Sequence, residues 1–76
     1  MNFEELQVLI SEVFNLDKKN ISHNSSMENL SKWDSIGHLN LILTIEDKTG
    51  LQFTPEQISS MTAVHLILSE ISEEQN

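Results

Sequence analysis

Trp33-Asp34-Ser35-Ile36-Gly37-His38-Leu39 opens the stretch that decides the fold, which continues Asn40-Leu41-Ile42-Leu43-Thr44-Ile45-Glu46-Asp47-Lys48-Thr49 and ends at Gly50. At about 100° per residue, Ile36, Leu39, Leu41, Ile42, Leu43 and Ile45 spread over more than half of a helix circumference. Gly37, Asn40, Thr44, Asp47 and Lys48 leave only a narrow polar strip. Such breadth predicts a central helix from about Asp34 to Thr49, stopped by Gly50, a natural C-terminal residue. Leu41, Ile42 and Ile45 group as the inward set. Ile36, Leu39 and Leu43 form a second set, beside Ser35, with room to face a partner. A serine at such a start has its hydroxyl beside unpaired backbone N–H groups and the positive end of the helix dipole. That setting favours a negatively charged phosphate ester.

Working outward, Phe3, Leu6, Leu9, Ile10, Val13 and Phe14 fall on one face of a first amphipathic helix, expected from about residue 3 to 15. Asn2 is its expected N-cap, with Glu5 reaching back, and Val8 lies off the stripe. From Asn15 to Asp34 no period is sustained, so a long loop is predicted, pinned by Ile21, Met27 and Leu30. After Gly50, Thr54-Pro55-Glu56-Gln57 is a compact start for a short helix. Thr62 then caps a last helix through about Ser72, carrying Val64, Ile67, Leu68 and Ile71 inward, with Leu66 off the face. The tail Glu73-Glu74-Gln75-Asn76 is expected to fray. No run alternates long enough to build a sheet. The expected fold is all-α: a four-helix bundle of three main helices plus a short third, with the long loop between the first and second.

Seventy-six residues make one domain, 1–76, because two cores would each be too small to fold unaided. Twelve acidic residues against four lysines give a formal charge of −8 at pH 7 with histidines neutral. This argues against nucleic acid as a partner, whose phosphates need a basic patch, and for partners with basic surfaces. There is no cysteine, hence no disulfide and no thiol of its own for covalent chemistry. Glu4, Glu5 and Glu12 interrupt the first apolar residues, so no signal peptide is expected, and no stretch has the length of a membrane span. A monomeric, cytoplasmic domain is the expectation. Sequons at Asn20, Asn24 and Asn29 are then accidents of an Asn/Ser-rich loop. No metal is expected: His23, His38 and His65 share no ligand spacing.

Asp34-Ser35-Ile36 resembles the Asp-Ser-Leu signature of acyl carrier proteins, and the likeness extends over almost the whole chain. Helix, long loop, Asp-Ser-Ile at an apolar helix start, Glu46-Asp47 at its end, Gly50-Leu51-Gln52-Phe53, a short helix and a final helix follow that family's order. The resemblance implies a carrier rather than an enzyme, with no catalytic residue. Ser35 would bear a covalent 4′-phosphopantetheine arm, transferred from coenzyme A by a phosphopantetheinyl transferase. The arm would hold an acyl group as a thioester and present it to loading, transferring or condensing enzymes with basic docking surfaces. Asp34 would help form the transferase's docking surface, Ile36, Leu39 and Leu43 would supply apolar contacts, and Glu46 and Asp47 would meet basic residues. Longer acyl chains would insert beside Ile42, Ile45 and the last helix.

Some positions depart from the fatty-acid carriers of that family. Those usually have an acid two residues past the serine and a glutamate further along, where this chain has Gly37 and Asn40. Lys48 dilutes the acidic face as well. The departures point to a specialised pathway, such as polyketide, glycan-modifying or other secondary metabolism. Trp33 is expected to pack onto the bundle from the loop, and His38 to be a surface helix residue near the arm's phosphate. An aminoacyl or peptidyl carrier differs only in cargo, and more often shows Gly-Gly-x-Ser where this chain has Lys-Trp-Asp-Ser. Two other classes compete. A hydrolase would use Ser35, His38 and Asp34, but the chain has no nucleophile elbow and no evident oxyanion hole. An unmodified helical adaptor would explain the apolar ridge and leave Ser35 without a task.

Overall fold

A computed structural model, which describes residues 1–75, has four α-helices and no strand among the described residues. They are α1 (Phe3–Phe14), α2 (Ser35–Thr49), α3 (Pro55–Ser60) and α4 (Val64–Gln75). The expected all-α architecture, three main helices and a short third, is what the chain adopts.

Local chemistry sets most of the helix ends. Asn2 Oδ1 accepts from the Glu5 amide at 2.9 Å and Glu5 Oε1 accepts from the Asn2 amide at 3.1 Å, closing a capping box at α1. Thr54 and Gln57 make the same reciprocal pair at α3, with Pro55 in the first turn. α1 stops one residue earlier than expected, at Phe14, because Asn15 turns left-handed at φ 54°. α2 ends at Gly50, whose φ of 75° suits a residue without a Cβ.

α4 begins differently from its prediction. Thr62 is not its cap; the helix starts at Val64. The backbone there is held by the long loop instead: Met27 N–H donates to the Thr62 carbonyl and Val64 N–H to the Ser25 carbonyl, around a Ser26–Ala63 bridge. The expected frayed tail is helical as far as Gln75, and Asn76 lies outside the described residues.

The loop from Asn15 to Asp34 is an ordered strap. Lys18–Asn20 form a 3-10 turn. The Gln7 side-chain amide donates to the carbonyls of Lys18 and Ile21, both at 2.8 Å, tying the strap to α1. Ile21 is buried, with Met27 and Leu30 packed against the same core. That core joins Leu6, Ile10 and Phe14 of α1 to Leu41, Ile42 and Ile45 of α2 and Val64, Ile67 and Ile71 of α4. Each such aliphatic side chain contributes about 2 kcal/mol by leaving water. Val8 and Leu66 are exposed, as their off-stripe positions predict. No helix among the described residues is long and apolar enough to cross a membrane.

Gly37 sets how closely α2 approaches its neighbours. A Cβ there would lie 2.7 Å from the Lys32 carbonyl oxygen and 2.9 Å from Phe14 Cε1. A glycine lets the strap and α1 close over the start of α2.

Candidate functional site

Ser35 is the first residue of α2 and is exposed. Asp34 precedes it as N-cap, extended at φ −96° and ψ −172°, and its Oδ1 accepts from the Gly37 amide at 2.7 Å. Ser35 therefore stands at a capped helix start, near first-turn amides and exposed to solvent.

One flank of α2 beyond it is apolar and open. Ile36 is 73% exposed, Leu39 55% and Leu43 62%, so the second apolar set expected from the sequence is left uncovered by the bundle. The other apolar set, Leu41, Ile42 and Ile45, is fully inside. The two acids at the far end differ. Asp47 is exposed, whereas Glu46 is half-buried and its Oε2 accepts from the Phe53 amide at 2.8 Å. Glu46 thus fastens the segment after α2, a local duty that the expected contact with basic residues did not include.

His38 is the main correction. Expected on the surface near a phosphate, it is only 6% exposed. Trp33 Nε1–H, a donor only, points at His38 Nδ1 at 2.9 Å. Nδ1 must then accept, so Nε2 carries the hydrogen and donates to the Ile58 carbonyl at 2.8 Å. The partners alone assign this neutral tautomer. Trp33, expected to pack onto the bundle, does so at 1% exposure, with the Phe14 ring 6.0 Å from its own. The cue for His38 was present in the chain: His38, Leu41, Ile42 and Ile45 follow the i, i+3, i+4, i+7 spacing of a buried stripe. A polar residue heading that stripe needed partners, and only folding supplied them.

The same geometry bears on the hydrolase arrangement. Both His38 ring nitrogens are engaged by Trp33 and Ile58, and Asp34 is engaged by Gly37. Ser35, His38 and Asp34 therefore form no proton relay. The other histidines stand apart from the site. His23 stacks on Phe3 with ring centroids 3.9 Å apart, and its carbonyl accepts from the His65 amide.

One groove among the described residues reaches the start of α2, bordered by Phe14, Lys32, Asp34, Gly37 and Asn40; others are bordered by Met1, Val8, Glu12 and Lys48, and by Met27, Glu28, Ala63 and Leu66. No protein-family model matches the chain, and no curated protein matches it.

Proposed function

We propose that this chain is an acyl carrier protein whose Ser35 bears a 4′-phosphopantetheine arm. The observation that carries the reading is the exposed serine at a capped helix start, beside an uncovered apolar ridge and within an acyl-carrier-like order of elements. In the modification step, Ser35 Oγ attacks the pyrophosphate phosphorus of coenzyme A that bears the pantetheine. A new Oγ–P bond forms, the P–O bond to the nucleotide breaks and adenosine bisphosphate leaves. The hydroxyl proton passes to a base on the transferase. The thiol at the end of the arm, which the cysteine-free chain cannot itself supply, then carries the acyl group as a thioester. A long tether raises the effective concentration of one intermediate at several active sites.

Asp34 holds the helix start and offers negative charge to the transferase. Ile36, Leu39 and Leu43 supply apolar contact to successive enzymes, and Asp47, with the outer part of Glu46, attracts their basic residues. The carrier is read as a cytoplasmic monomer serving a specialised pathway, since Gly37 and Asn40 stand where fatty-acid carriers place acids. An aminoacyl carrier would share every feature except cargo. The adaptor reading shares the ridge and predicts that Ser35 is dispensable.

Intact mass after co-expression with a broad-specificity phosphopantetheinyl transferase decides the matter. The wild-type chain gains one phosphopantetheinyl group and Ser35→Ala gains none. A folded wild-type protein that stays unmodified overturns the proposal.

A further inference from the structure

Resting on the carrier reading, we infer that His38 closes the seam between α2 and α3, so that this carrier presents short or polar acyl groups in solvent and does not bury long chains. Residues three or four apart on a helix are neighbours, so His38 lies one turn beyond Ser35 with Ile42 next along the same side. An acyl chain folding back from the arm along this side meets the imidazole first. That imidazole is not a loose flap. It is buried and held at both nitrogens, to Trp33 from the strap and to the Ile58 carbonyl at the end of α3.

Behind it Ile42 is 1% exposed and Ile45, Met61 and Ile67 are each 0%, so a long chain entering here has to displace buried core side chains. None of the three grooves named above is bordered by His38, Ile42 or Ile58. An apolar chain entering this seam must part His38 from Ile58. It then leaves the imidazole N–H facing hydrocarbon and the Ile58 carbonyl with only the Met61 amide at 3.2 Å, the costly way to lose a hydrogen bond. A chain with its own polar groups avoids part of that penalty, and a short one never reaches the seam.

The test loads apo-protein from butyryl- and decanoyl-coenzyme A with a broad-specificity phosphopantetheinyl transferase. It then follows thioester hydrolysis to free acid and thiol, with amide hydrogen exchange of α3. In the wild type the two thioesters hydrolyse alike, and exchange at Ile58–Met61 is the same for both. In Trp33→Phe/His38→Leu, which removes both side-chain polar partners together, the decanoyl thioester becomes protected by about fivefold or more, while the butyryl one is unchanged. His38→Gln, which keeps a side-chain N–H for Ile58, behaves as the wild type. A wild-type carrier that already shields decanoyl overturns the inference, and this arm needs no variant to fold. A wild-type chain that never gains the arm overturns the carrier reading as well, so the two failures are told apart by mass.

Discussion

A methyl group at position 37 would press on a backbone oxygen 2.7 Å away, which cannot swing aside as a side chain can. Alanine is the better helix former by about 1 kcal/mol, yet overpacking costs about 1–3 kcal/mol, so the clash wins. Gly37→Ala is expected to lower stability by about 1 kcal/mol in urea unfolding. From the sequence Gly37 was visible as part of the polar strip and as a departure from fatty-acid carriers; its reason lies in Phe14 and Lys32, which only the fold brings there. Asp34 caps α2, and the proposed function gives it a second duty toward the transferase, which two substitutions separate. Asp34→Ala loses the cap and about 1 kcal/mol. Asp34→Asn keeps an acceptor for the Gly37 amide and hence stability, while modification by the transferase slows because the charge is gone. Urea curves and the rate of mass gain read the two effects independently.

Between helices, the ridge and the α2 end make opposite predictions. Leu39→Ser with Leu43→Ser removes exposed apolar surface, so stability stays within about 0.5 kcal/mol for each change. Acyl transfer to or from partner enzymes falls, seen as a lower kcat/KM with the variant holo-protein as substrate. Glu46→Ala frees the Phe53 amide of its acceptor and costs about 1 kcal/mol in thermal or urea unfolding, whereas Asp47→Asn leaves the free protein unchanged. These elements were legible to unequal degrees. The starts of α1 and α3 are written in adjacent residues, Asn2 with Glu5 and Thr54 with Gln57, and fold as read. Thr62 carried a similar cue and lost to long-range pairing with Ser25 and Met27. The strap had no periodicity because its order comes from distant partners such as Gln7. Exposure of Ile36, Leu39 and Leu43 was readable as more apolar arc than one small bundle covers. The burial of His38 was missed because a titratable residue was assigned to water by type and not by its place on the stripe.

Across the molecule, a formal charge of −8 is spread over a body of about 30 × 23 × 20 Å. The Lys19–Asp17 pair, 3.7 Å apart with both side chains largely in solvent, does little to offset it. Screening this self-repulsion stabilises the fold and weakens attraction to a basic enzyme. Raising salt from low to physiological strength is therefore expected to raise Tm in circular dichroism while slowing association with a partner in stopped flow. Parallel movement of both would remove basic docking from the account. The sequence could announce the sign of that field, because charge needs no fold; the placement of Glu46 against Phe53 needed one. The indole two residues before Ser35 has a further use. Trp33 is the sole tryptophan in a chain without tyrosine, and it is sealed from water with its N–H held by His38. The protein consequently contains its own optical probe: its emission should lie at short wavelength and shift to the red the moment that hinge of imidazole and carbonyl lets go.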